Sequence, residues 1–273
     1  MFDLFALRIG LVIIGSMVAA YTDLKKGLIY DSITLPMIGA GILFNLFEQG
    51  FTGIGVGALV FAAGYLLYVT GKIGGGDVKL FTAIALLLPF YKDNIFILNV
   101  LLFSGLSGLL FVSANYSLKY LKTTTLKNAL EENKANLSKS AILAVVIAAY
   151  FFVLLSSGFV STTYLLVFGV PMIFGLVFLA FEKGIREKIF LKKIQVNKLE
   201  EDEIIAREFL DKKTVEELGL GMKGVIDEKT RKKILALGLK EIMVYRDLPK
   251  FGPFILLGVI AALFAPPFMT VLA

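Results

Sequence analysis

Two aspartates stand where a carboxylate is costly, at the ends of apolar runs. Asp23 closes the first run in AAYTDLKKG, and Asp77 follows three consecutive glycines in GKIGGGDVKLF, just ahead of another run. An ionisable group at a membrane boundary tends to be functional, because placing it there costs free energy. Two close carboxylates cannot both ionise, so they share one proton. The ionised partner then takes a proton from water while the other hydrogen-bonds a scissile carbonyl. That hydrolysis needs no metal, no cofactor and no covalent nucleophile.

Composition narrows the choice to this chemistry. The 273 residues include no cysteine, which excludes disulfides, thiolate metal sites and cysteine nucleophiles. They also include no histidine, which removes the serine–histidine and cysteine–histidine hydrolases and the commonest transition-metal ligand. Carboxylates, lysine and tyrosine remain. The net charge of +6 reads as orientation in a membrane rather than affinity for nucleic acid.

Each marked residue also has a plainer reading. Asp23 could pair with Lys25 or Lys26 at a helix end, and Asp77 could cap the following helix. Gly74, Gly75 and Gly76 argue for more than a cap, since three glycines permit positive φ and the close approach of another chain, as an extended substrate requires. Asp31, followed by Ser32, could support the loop or the substrate, or cap the helix that carries Pro36 in its first turn. Lys72 and Lys79 flank the glycines and could meet lipid phosphate or a carboxylate. Gly53 and Gly57 are spaced for close helix packing. Gly71–Lys72 lacks the spacing of a phosphate-binding loop.

The elements that must position the two aspartates are membrane helices. With 57% hydrophobic and 18% charged residues, the chain has long runs that show water no polar face, whereas a helix in lipid satisfies its own backbone. A hydrocarbon core takes roughly 20 helical residues to cross. Residues 4–22, 33–47, 54–70, 80–91, 95–114, 141–157, 164–181 and 254–272 read as about eight spans, an all-α polytopic fold. The second and fourth are short, as spans inside the bundle can be. Asp3 precedes the first run with no basic segment and no small-residue cleavage site, so no cleaved signal peptide is expected.

Basic residues orient the bundle. With both termini outside, the inward segments DLKKGLIYDS, GKIGGGDVK, 115–140 and 182–250 hold nearly all the lysine and arginine, and the outward loops hold only Lys92. Arg8, near the outer end of the first span, is expected to snorkel. Both aspartates then face the cytoplasm. The chain divides into a transmembrane core with both aspartates (1–114), a cytoplasmic loop and further helices (115–181), a small cytoplasmic α or α/β domain with turn glycines such as Gly219 and Gly221 (182–252), and a closing helix (253–273).

The GGGD segment and its following lysine resemble the GxGD signature of membrane aspartic peptidases. Over residues 21–89 the chain resembles the type IV prepilin peptidase family, in which an aspartate is followed eight residues later by another that opens a helix; here these are Asp23 and Asp31. The polar domain and YRDLPKFGPFILLGVI resemble the archaeal preflagellin and prepilin peptidase branch. The resemblance implies that Asp23 and Asp77 are catalytic, that no cofactor takes part, and that the partners are membrane lipid and prepilin or preflagellin leader peptides with a basic leader, a glycine near the cut and a hydrophobic helix beyond. Bacterial members add a cysteine-bearing N-terminal region associated with N-methylation; with no cysteine here, that activity is not expected. A presenilin-like protease shares the GxGD aspartate but would place its first aspartate mid-span. A proton or cation transporter would use the same carboxylates as a relay.

Overall fold

The computed structural model describes residues 4–70, 72–158, 162–199, 203–218, 226, 228–237 and 239–264. In chain order, α1 (Leu4–Lys26) leads to α2 (Asp31–Phe44), which passes through a π-helical turn at Asn45–Gln49 into α3 (Gly50–Val69). Next come α4 (Gly75–Leu87), a short hairpin of β1 (Phe90–Tyr91) and β2 (Asn94–Ile95), and α5 (Phe96–Thr123). α6 (Leu126–Glu132) and α7 (Lys134–Ser156) follow, then α8 (Thr162–Tyr164), which continues through a π turn into α9 (Val170–Ile185) and a second π turn ending at Phe190. Five of these helical segments are long and apolar enough to cross a membrane: α1, α3, α5, α7 and the α8–α9 rod. The protein is a polytopic helical membrane protein. The expected second, fourth and eighth spans are the shorter helices α2, α4 and α12 (Gly252–Phe264); residues 265–272 of the eighth lie outside the described set.

α4 is the centre of the bundle. Its 13 residues rise about 20 Å, too little for a hydrocarbon core. Every residue from Leu80 to Leu87 is buried, so protein rather than lipid surrounds it. Glycines let its neighbours come close: a Cβ on Gly41 of α2 would lie 2.7 Å from the Leu86 Cβ, and one on Gly64 of α3 would lie 2.8 Å from Val78. Gly57 of α3 meets Leu86 in the same way. Of the two glycines spaced for packing in α3, Gly57 is thus used against α4, whereas Gly53 makes room for the Asn45 side chain. Pro36 falls inside α2, beyond its first turn.

Arg8 corrects the expectation of snorkelling. Its side chain is fully buried, with Nη1 donating to the Leu87 carbonyl at 2.9 Å, Nε 3.4 Å from Glu48, and the guanidinium 5.2 Å from the centre of the Phe44 ring. The last turn of α4 has carbonyls with no helical partner, and these draw the cation inward.

The segment 115–140, expected as a solvated stretch with some helix, is largely helical and mostly exposed: α5 and α7 run past the apolar stretches that defined their spans. A polar knot ties their ends to α9. Asn133 donates to the Tyr120 hydroxyl at 3.0 Å and to the Ala129 carbonyl at 2.8 Å, and accepts from the Gly184 N–H at 3.0 Å. Glu132 accepts from Tyr120 at 2.8 Å and from Lys188 at 2.7 Å. Beyond the rod lies a three-stranded antiparallel sheet in the order β3 (Leu191–Gln195), β5 (Glu241–Tyr245), β4 (Ile204–Ile205), with α10 (Lys212–Leu218) and α11 (Glu228–Ala236). Val196, Ile205, Ile234 and Val244 contribute to its own core, giving an α/β unit between the α9 rod and α12. Gly219 and Gly221 lie outside the described residues.

Candidate active site

Asp23 lies in the last turn of α1. Gly27, at φ 71°, ends that helix in the left-handed conformation that favours glycine, with its N–H on the Asp23 carbonyl at 2.7 Å. Asp77 lies in the first turn of α4, whose N-cap is Gly74. Asp77 is therefore not the cap itself. It is the third helical residue, and its carboxylate reaches back to the Gly74 backbone N–H, one half of a capping box. α1 and α4 pack side by side with their directions opposed: Arg8 near the start of α1 meets Leu87 at the end of α4. The far ends of the same pair bring Asp23 and Asp77 within electrostatic range of each other. Asp23 is buried and Asp77 half-buried.

The glycines act differently from the expectation. Gly74 has φ −72°, and the glycines with positive φ among the described residues are Gly27, Gly50 and Gly158, so the GGG run does not use that freedom. It is needed for close approach. A Cβ on Gly76 would lie 2.9 Å from the Ile29 Cβ and 3.2 Å from the Ile29 carbonyl oxygen. One on Gly75 would lie 3.3 Å from the Tyr68 ring, and one on Gly74 would lie 2.9 Å from the Asp77 Oδ2. The chain that comes close to Gly76 is the protein's own loop between α1 and α2.

Asp31 caps nothing. It is the first residue of α2, whose N-cap is Tyr30, and it accepts from Lys79 of α4 at 2.5 Å. This exposed pair ties α2 to α4 two residues beyond Asp77.

Sequence reasoning missed the third wall of the site, which comes from the other end of the chain. Gly252 at the start of α12 donates its N–H to the Asp23 Oδ2 at 2.8 Å, a buried bond. Lys250 donates to the Leu24 carbonyl at 2.6 Å. A glycine before proline at the head of an apolar run, in KFGPF, was the available signal. Among the described residues, no group of three or more histidine, cysteine, aspartate or glutamate side chains gathers as metal ligands. Two neighbouring carboxylates, each anchored by one backbone N–H, can share a proton and perform acid–base chemistry on a polar bond.

Comparison with known proteins gives the segment a relationship. Residues 10–113 match the model of the type IV leader peptidase family. The chain is 40% identical over 93 residues to prepilin peptidase EppA of Methanothermobacter thermautotrophicus, covering 31% of this chain and 24% of that protein. It is 39% identical over 99 residues to a prepilin leader peptidase/N-methyltransferase of Aeromonas hydrophila, covering 32% of each. A prepilin leader peptidase/N-methyltransferase of Aeromonas salmonicida is 38% identical over 102 residues, 33% of each chain. The match spans about a quarter to a third of the length of these relatives. No solved structure matches the chain significantly.

Proposed function

We propose that this chain, whose residues 10–113 match the type IV leader peptidase family, is a membrane aspartic endopeptidase that cuts leader peptides from prepilin-like or preflagellin-like proteins at the cytoplasmic face. The observation that carries the reading is the convergence of Asp23 and Asp77, from opposed ends of α1 and α4, on one protein-walled site. In the reaction, the ionised carboxylate of the pair takes a proton from water, and the hydroxide formed adds to the scissile carbonyl carbon. The protonated partner gives its proton to the carbonyl oxygen, leaving a gem-diol and a pair that again holds one proton. Collapse returns a proton to the amide nitrogen as the C–N bond breaks, releasing a carboxylic acid and an amine. The pair titrates as a unit, so base and acid belong to the dyad rather than to one residue.

The buried walls are suited to this chemistry, since excluding water strengthens the field of each carboxylate. A substrate with an apolar helix beyond the cut fits a site at the end of a membrane bundle, where that helix can stay in lipid while the leader reaches the carboxylates. The test is cleavage of a leader-bearing substrate by detergent-purified full-length protein. Asp23→Asn and Asp77→Asn are expected to lose activity by several orders of magnitude while keeping the wild-type melting temperature, because an amide can neither act as base nor share the proton. Asp31→Asn breaks only an exposed ion pair, worth about 0–1 kcal/mol, and is expected to cost far less. Near wild-type processing by either principal variant overturns the proposal.

A further inference from the structure

Asp23 is held from outside the segment that the family relationship covers. Three successive residues of KFGPF are each fixed. The Lys250 Nζ donates to the Leu24 carbonyl at 2.6 Å, where the end of α1 has carbonyls without helical partners. Phe251 wedges beside Phe81 of α4, with ring centres 6.4 Å apart, and a Cβ on Gly108 of α5 would lie 2.8 Å from its ring. The Gly252 N–H then points at the Asp23 Oδ2 at 2.8 Å. A Cβ on Gly252 would lie 3.0 Å from both the Cβ and the Oδ2 of Asp23 and 3.4 Å from the Ala20 Cα. On the other side of the pair, Asp77 accepts the N–H of Gly74, where a Cβ would crowd the Asp77 Oδ2 in the same way.

Resting on the aspartic dyad proposed above, we infer that Gly252 is a positioning residue for the reaction, its backbone N–H locking the Asp23 carboxylate in the working rotamer while Lys250 and Phe251 hold the segment in place. A carboxylate free to rotate about χ1 and χ2 leaves the geometry it needs toward both water and Asp77. Binding one oxygen to a fixed N–H leaves the other oxygen for chemistry. The donor must be a glycine because any side chain there meets the carboxylate it serves. Both carboxylates are thereby held by one device, a glycine N–H at a helix start. The two glycines stand 178 positions apart in sequence, as 252 less 74.

The experiment compares kcat, KM and melting of full-length Gly252→Ala, Gly258→Ala, Lys250→Met and Lys250→Arg with a leader-bearing peptide. Gly258 lies on the same helix, and a Cβ there would lie 2.0 Å from the Ser104 Oγ and 2.6 Å from the Val100 carbonyl, against α5 and away from the aspartates. Gly252→Ala is expected to lower kcat by about tenfold or more with KM within about twofold and an unchanged melt, since small misplacement of a catalytic group is expensive. Gly258→Ala is expected to do the reverse, lowering the melt while its folded fraction keeps its kcat. Lys250→Met is expected to lower kcat about threefold and Lys250→Arg to restore it, the tether being a hydrogen bond from a cation. Wild-type kcat in Gly252→Ala overturns the inference. If that variant does not fold, wild-type kcat in Lys250→Met does so. Cleavage surviving in Asp23→Asn, by contrast, removes the dyad on which the inference rests.

Discussion

The Arg8 Nη1 donates to the Leu87 carbonyl at 2.9 Å, and this bond sets the register of α1 against α4 at the end opposite the aspartates. α4 is enclosed, so a slip along α1 moves Asp23 relative to Asp77. Asn45 supports the same turn, donating to the Gly41 and Leu86 carbonyls at 2.8 and 2.6 Å. Two side chains thus satisfy carbonyls at the end of α4 that helix geometry leaves open.

Replacing Arg8 by methionine keeps much of the stem and removes the charge. The Leu87 carbonyl then loses its donor, and a lost hydrogen bond to a charged group costs about 1.5–3 kcal/mol. Glu48 is the half-exposed partner and can turn to solvent, so Glu48→Gln is expected to cost less. Thermal melting checks the order: Arg8→Met well below Glu48→Gln, and Glu48→Gln near wild type. Equal melts for Arg8→Met and wild type contradict the register role.

The polar knot around Glu132 gives a pH dependence. Hydrogen bonds from Lys188 and then Tyr120 hold its carboxyl below the usual glutamate range. A carboxyl with a lowered folded-state pKa contributes stability above its unfolded value, about 4.3, and loses it as pH falls through the folded value. The melting temperature of wild type is therefore expected to drop below about pH 4.3 more steeply than that of Glu132→Gln, and the two are expected to differ at pH 7 and converge in acid. Parallel curves over this range refute the tie.

The sequence made the two aspartates legible because a charge at the end of an apolar run is visible without a structure. It also exposed α4 as a short helix beside a glycine run. Gly252 was hidden for a physical reason: its contribution is a backbone N–H, which every residue but proline carries, and its acceptor lies 229 positions away. Arg8 was misread because snorkelling and burial look alike near a span end. What decides between them is the pairing with Glu48 and Leu87, which only packing reveals. How the helices over 115–140 are anchored was not legible, because the side-chain hydrogen bonds of Asn133 and the buried Tyr120 and Ala129 meet residues of α9 some fifty positions away.

Topology follows from the basic segments and is checked in a chain without native cysteine. Cysteines at Lys122 and Glu216 are expected to resist an impermeant thiol reagent in intact cells, and one at Asn94, in the hairpin of β1 and β2, to react. The opposite labelling pattern places Asp23 and Asp77 outside and refutes cytoplasmic cleavage.

Gly76 separates two explanations of the GGGD segment. If the glycine keeps the approach to Asp77 open for an extended substrate, any added methyl blocks the substrate wherever Ile29 lies. If it lets the loop after α1 pack on the first turn of α4, the added methyl acts by displacing Ile29, whose Cβ would be 2.9 Å away. Displacement there moves the end of α1 that carries Asp23, so both accounts expect Gly76→Ala to lose roughly tenfold in activity and Gly76→Val to approach the loss in Asp77→Asn. Ile29→Gly tells them apart. On the packing account, the double variant Gly76→Ala with Ile29→Gly recovers activity relative to Gly76→Ala alone, although the Ile29 carbonyl at 3.2 Å keeps the recovery incomplete. On the access account the two effects simply add, since the methyl still faces the substrate. The geometry favours recovery, and a double variant no more active than the product of its singles would refute packing as the reason for this glycine.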